Sequence, residues 1–374
     1  MDFQKSITFD KYKTVPVDYL HNDEDQTFTL KMIFPAGEMN NLVLPYVSGY
    51  LNHLGTAKLS VEDIKNQFYS LACNYSVSVS DKETYISLSG IDNNRDKAFK
   101  LMMDLFKNAQ VDSAALQNIK DDILLSRKNA KSSQNSVMNC LRSYCEFGPE
   151  LVAYQLTAEQ LEKLSGEEIL AALRQLLTYQ PEILYYGPAS IKTVKKSLAV
   201  NYKLPKTFAE PAPAKKFDRV ATSENVVFYA PYPAKQSRVI TSMRADKLDP
   251  KVISVVRMYN QYFGGSMNAI VFQEMREKRS LAYSAQSYYV TPNRKDGYFT
   301  NVAIIATQND KLLDAMNAFS ELFEEMPVAE ANFKLAQDAA ISSIRTDRTT
   351  KLSIISSYLT YEKMGFDMKK PLGK

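Results

Sequence analysis

The chain has 374 residues, too many for one compact core, and points to two domains or slightly more. Hydrophobic residues make up 45% and aromatics 11%, as in an ordinary globular protein, and no apolar run reaches the roughly 18 residues that a membrane-spanning helix needs. The net charge of +4, from 46 basic and 42 acidic residues, is too small to argue for nucleic acid, which would want basic residues gathered on one face.

The chain opens MDFQKSITFDKYK, without an apolar segment, so no signal peptide is expected on the chain as given. A strand, TFTLKMIFP (27–35), leads into helical patterns at 42–55 and 61–72. Two alternating strands follow, YSVSVS (75–80) and ETYISLSG (83–90), joined by a tight turn at Asp81-Lys82. Helical patterns then cover 96–109, 115–130, 136–148 and 166–177, before a strand EILYYGP (182–188). The stretch 203–218, with Pro205, Pro211 and Pro213, reads as a stiff linker and sets the boundary at 201–222.

The same order then recurs. Strands are expected at 224–231 (ENVVFYAP) and 237–245, helices at 250–265 and 266–278, strands at 281–290 and 297–306, and helices from 311, 331 and 351. Ala98, Leu105, Phe106, Tyr144 and Gly148 match Ala315, Leu322, Phe323, Tyr361 and Gly365 at a constant offset of 217. A duplication explains this: a first unit at 1–200 and a second at 223–374. The fold class is α+β, each unit an antiparallel-rich sheet with helices layered on one face. The second unit reads as C-terminally incomplete, because the first continues 40 residues from Gly148 to Pro188 and the second only nine beyond Gly365.

Few residues offer metal or nucleophilic chemistry. The three cysteines, Cys73, Cys140 and Cys145, have no C-x-x-C spacing and argue against a disulfide scaffold or zinc ribbon. The two histidines, His21 and His53, lack a second ligand at helical spacing and read as structural or solvated.

Taken with the strand ending in Ala36-Gly37-Glu38, the helix-to-Gly55-Thr56 junction and the hairpin, this order resembles the C-terminal half of the insulinase/pitrilysin family of zinc metallopeptidases, the inverzincins. The resemblance implies half of a clamshell that closes over a peptide. It also implies that zinc is held by an N-terminal half, or a partner subunit, carrying H-x-x-E-H, and that this chain alone holds no cofactor. Family spacing from Gly55-Thr56 puts the degenerate motif on Tyr46-Val47-Ser48-Gly49-Tyr50, with tyrosines at both histidine positions and Gly49 at the glutamate position. The third ligand position falls near Ser126. Zinc peptidase chemistry needs two neutral imidazoles and a carboxylate to activate water, which these residues cannot supply. Tyr46 and Tyr50 read as helix packing.

The family also has a pattern like R-x-K-x-x-L-x-Y, which Arg276, Lys278, Leu281 and Tyr283 fit. By resemblance, Arg276 and Tyr283 would bind substrate and donate hydrogen bonds to the scissile carbonyl oxygen, where negative charge develops. A helix ending near Arg279 and a strand from Leu281 would let both tips converge. The other reading is a basic helix C-terminus followed by a strand aromatic. For the whole chain the rival is a non-catalytic scaffold, like the core subunits of respiratory complexes. Neither a nucleic-acid partner nor a membrane span is expected, and the compartment, cytoplasmic or periplasmic, stays open.

Overall fold

The computed structural model describes residues 3–221, 224–348 and 350–368. Its first sheet has six strands: β1 (Thr8–Tyr12), β2 (Val15–His21), β3 (Thr27–Phe34), β4 (Cys73–Val79), β5 (Thr84–Ile91) and β6 (Glu182–Gly187), in the order β1-β2-β6-β3-β5-β4. Every neighbouring pair is antiparallel except β2 and β6. The second sheet has three antiparallel strands, β7 (Gln236–Lys247), β8 (Ser284–Val290) and β9 (Tyr298–Gln308), in the order β7-β9-β8. The α+β, antiparallel-rich architecture expected from the sequence is what the chain adopts.

Strand alternation decides which core each side chain joins. On β3, Phe28, Leu30, Met32 and Phe34 point into a core shared with Val47, Leu51, Phe99, Leu105, Leu170 and Leu173, from helices Leu44–Leu51, Arg95–Asn108 and Gly166–Leu176. Ile33 points to the opposite face. There it joins Leu20 and Leu184 under Ile355, Tyr358 and Leu359 of the helix Lys351–Lys363. That helix belongs by sequence order to the second unit, so the first sheet carries a helix on its other face as well.

The exchange is mutual. The helix Gln134–Phe147 of the first unit lies against β7: Ser242 donates to Glu146 Oε1 at 2.5 Å, Arg219 Nη2 sits 2.9 Å from Glu146 Oε2, and Asn135 pairs with Arg238. In return Lys363 Nζ reaches both Glu83 oxygens at 2.7 and 2.8 Å, and Lys351 pairs with Asp23. Each of these two helices runs into a glycine with positive φ, Gly148 at 79° and Gly365 at 84°, a conformation that disfavours any side chain.

Two sequence expectations need correcting, and one pair of strands has no counterpart among them. Residues 224–231 are not a strand. Among the described residues no strand pairs with them, and Val227 and Tyr229 are 86% and 83% exposed. β1 and β2 do form, although Pro16 and Asp18 interrupt their pattern; β2 is held by its parallel partner β6. The last strand hairpin opens at Ser284 rather than Leu281.

Candidate functional site

The segment around Arg276 starts as a helix, Ile270–Phe272, and widens into a π-helical turn over Gln273–Lys278. Such turns are uncommon and concentrate at functional sites. Met275 is fully buried in the second core and anchors the chain reversal on its C-terminal side. Its carbonyl accepts from the Leu281 N–H at 2.9 Å and the Ala282 N–H at 3.3 Å. Ser280 takes a positive φ of 49° to make that reversal, and Lys311 Nζ donates to its carbonyl at 3.2 Å. The Tyr283 N–H then donates to Ala306 O at 3.2 Å, starting the β8–β9 edge.

Seven residues of continuous helix would put Arg276 and Tyr283 about 10 Å apart along its axis. The reversal at Ser280 removes that distance. The Arg276 guanidinium carbon lies 5.1 Å from the Tyr283 ring centre and 4.9 Å from that of Phe272, so the cation is sandwiched between two aromatic faces. Tyr283 is 72% exposed, and the Arg276 side chain is 42% exposed beside Glu277 Oε1 at 3.5 Å. The neighbouring charges are used locally. Lys278 pairs with Glu274 at 2.5 Å and Arg279 with Glu321 at 2.8 Å, so each of the three cations has an acidic neighbour.

The four positions of the degenerate motif do not fit a zinc ion. Tyr50 is fully buried, and its hydroxyl is committed to the backbone of Asp112, donating to the carbonyl at 3.0 Å and accepting from the N–H at 2.9 Å. Burial pushes its phenol pKa further up, away from the anion a metal would want. Tyr46 is half-buried and shifted the same way by burial, with Arg127 opposing. Gly49 is exposed with open space where a side chain would stand, and Ser126 is exposed on the helix Ser113–Ala130. Among the described residues no group of three or more His, Cys, Asp or Glu could hold a metal ion. The cysteines are free, and His21 Nδ1 lies 3.1 Å from the Tyr19 hydroxyl.

One cluster has no local signal in the sequence. Asp18 of β2, Glu182 of β6 and Glu362 of the helix Lys351–Lys363 line one cavity with Asp10, Lys11 and Tyr358. Burial, then Glu182 and Glu362, push the Asp18 carboxyl up to about 7; burial and Glu362 also raise Glu182. The three acids come from three distant parts of the chain, so only the fold brings them together.

Residues 183–340 match the family described as the peptidase M16 inactive domain. The uncharacterized zinc protease YmxG of Bacillus subtilis (strain 168) is 22% identical over 256 residues, which cover 65% of this chain and 60% of that protein. The chain thus spans less than two thirds of this curated relative's length. Among solved structures, a peptidase M16 inactive domain from Pseudomonas fluorescens superimposes with a TM-score of 0.68 at 17% identity, over 96% of this chain and 87% of that one. The periplasmic protease PqqL from Escherichia coli gives 0.77 at 15% identity, over 96% of this chain and 41% of that one. The resemblance read from the sequence, to the C-terminal half of an insulinase/pitrilysin-family peptidase, is borne out. Among the described residues no helix is long and apolar enough to cross a membrane.

Proposed function

We propose that this chain, which carries the inactive domain of an M16 peptidase, works as the non-zinc half of a zinc metallopeptidase. Its partner is a half bearing H-x-x-E-H, on the same polypeptide or a separate subunit, and the substrate is a peptide enclosed between them. Zinc and the water-activating base belong to that partner. The observation that carries the reading is the Arg276–Tyr283 pair, two fixed donors held together at an exposed turn.

The chemistry rests on charge. When water attacks a peptide carbonyl, the oxygen becomes an anion. A guanidinium and a phenol placed to meet that oxygen stabilise the attacked state more than the substrate. The aromatic sandwich restricts the rotamers of Arg276, so less entropy is lost when it engages. Without a metal-bound nucleophile the pair has nothing to assist, so the chain alone cleaves no peptide. A scaffold subunit has no need of two exposed donors in this arrangement.

Steady-state kinetics of the reconstituted halves test the reading. Tyr283→Phe and Arg276→Ala should each lower kcat by about 10² to 10³, the usual loss for one oxyanion donor, with a smaller change in KM. If both variants keep wild-type turnover, the pair is a solvated helix end and the donor role is wrong.

A further inference from the structure

The reversal that leads into the hairpin is closed differently in the two units. In the first sheet Cys73 stands opposite Gly90. In the second, Ser284 stands opposite Ala306, so one step back Tyr283 falls opposite Thr307. Tyr283 therefore holds the place of Cys73, and Leu281 that of Leu71. Along the facing strand and the turn after it, the 217-residue offset matches Gly90 with Thr307 and Asn94 with Lys311.

The first unit turns directly into its strand. Ala72 takes a positive φ of 48°, and a Cβ added to Gly90 would come within 2.3 Å of the Ala72 carbonyl oxygen, so no side chain fits at that point. One side-chain bond reaches this turn from the facing segment, from Asn94 Nδ2 to Leu71 O at 2.8 Å. In the second unit the positive φ falls two places earlier, at Ser280, and Leu281, Ala282 and Tyr283 lie between it and the strand. Here the facing strand does carry a side chain. Thr307 is 1% exposed, and its hydroxyl donates to Leu281 O at 2.5 Å, the carbonyl that Asn94 serves in the first unit. Lys311, in the place of Asn94, reaches Ser280 O instead, at 3.2 Å. Two consecutive carbonyls are thus held by side chains of the facing segment. The Leu281 N–H is bound to Met275 O and the Tyr283 N–H to Ala306 O, so the backbone entering Tyr283 is fixed on both sides of the Leu281 residue.

We propose that Thr307, supported by Lys311, is a positioning residue for the Arg276–Tyr283 pair, a role that rests on the donor reading of that pair. The Thr307 hydroxyl fixes the Leu281 carbonyl, and the backbone held there sets where the Tyr283 ring lies over the Arg276 guanidinium, 5.1 Å away. Neither Thr307 nor Lys311 meets the substrate; both act through the backbone of the turn. Removing the hydroxyl leaves the Leu281 carbonyl without its side-chain donor and lets the turn shift, and a misplacement of about 1 Å at a reacting group can cost about 10² in rate.

Two readouts separate this role from the donor role. The first uses the chain by itself. The Arg276 guanidinium lies between the rings of Phe272 and Tyr283, so its side-chain N–H resonance, observed with isotope-labelled arginine, is displaced upfield by ring currents. Arg276→Lys assigns the resonance, and Tyr283→Leu measures the share that Tyr283 contributes. Thr307→Val keeps the shape and removes the hydroxyl, and should lose at least half of that share. Lys311→Met should lose a smaller part, and Thr307→Ser, which keeps the hydroxyl, should retain all of it. The second readout is turnover of the reconstituted halves. Thr307→Val should lower kcat about tenfold with KM unchanged, and should lower it no further in a Tyr283→Phe background, where a general loss of folded protein would multiply the two effects. Lys311→Met carries both readouts if the buried substitution does not fold. A full Tyr283 shift in Thr307→Val and Lys311→Met overturns the positioning role and leaves the donor reading standing. A lost shift with wild-type turnover, while Tyr283→Phe is slow, overturns it as well. Wild-type turnover in Tyr283→Phe overturns the donor reading, and the positioning role with it.

Discussion

Tyr50 stands where a zinc peptidase would want an imidazole, yet its hydroxyl serves the backbone. It satisfies both the N–H and the C=O of Asp112, the N-cap of the helix Ser113–Ala130, and it fills the space beside Gly166, where an added Cβ would come within 2.5 Å of its oxygen. Tyr50→Phe keeps the ring and orphans the Asp112 N–H, while the Asp112 carbonyl still accepts from the Leu116 N–H at 3.1 Å, so it should cost about 1–3 kcal/mol in urea unfolding. Loss of less than about 0.5 kcal/mol would mean water replaces the hydroxyl there. Asp18 makes a second residue-scale prediction. Its folded carboxyl titrates near 7, above the unfolded value of 3.8, because burial and the facing Glu182 and Glu362 disfavour its charge. The native state therefore holds a proton that the unfolded state gives up, and that contribution is present below about pH 4 and lost as pH rises through 7. Thermal unfolding should show lower stability at pH 8 than at pH 5.5, and Asp18→Asn should flatten that slope. An unchanged slope in the variant would show that Asp18 is not the group responsible.

At the scale of elements, Gly148 and Gly365 end helices that occupy matching places, and Gly148 has open space around a would-be Cβ. Any penalty at Gly148→Ala is therefore conformational, set by φ of 79° and ψ of −178°, and should be about 1–3 kcal/mol by denaturant unfolding. A neutral substitution would mean that the turn relaxes. The 217-residue offset made these glycines legible in the sequence, as it did the helix pairs and hairpins. The Arg276-to-Tyr283 turn was legible too, from the change of period between Met275 and Ser284. What escaped was non-local. β2 reads poorly because Pro16 and Asp18 break its pattern, and the strand that joins the β1–β2 pair to the rest of the sheet, β6, comes 160 and more residues later. Residues 224–231 read as a strand because they have strand composition, but composition does not supply a neighbour. The acid cluster at Asp18 was invisible for the same reason, being assembled from strands and a helix that share no local pattern.

At the scale of the molecule, the two exchanged helices tie the units together. Ile355 and Leu359 seal one face of the first sheet, and Glu146 engages Ser242 of the second and Arg219 of the linker. The chain should therefore remain associated on gel filtration after proteolytic nicking within 201–222, and fluorescence and far-UV probes should report one coincident unfolding transition. Separation of the fragments in native buffer would show that the exchange is too weak to hold them. The exchange also bears on how the protein is made. All six strands of the first sheet have left the ribosome soon after residue 187, but the helix that covers Leu20, Ile33 and Leu184 arrives only with residues 351–363. At about 5–20 residues per second that is a wait of roughly 10 to 30 s with an apolar sheet face bare, long enough for a nascent chain to meet a chaperone or an aggregating neighbour.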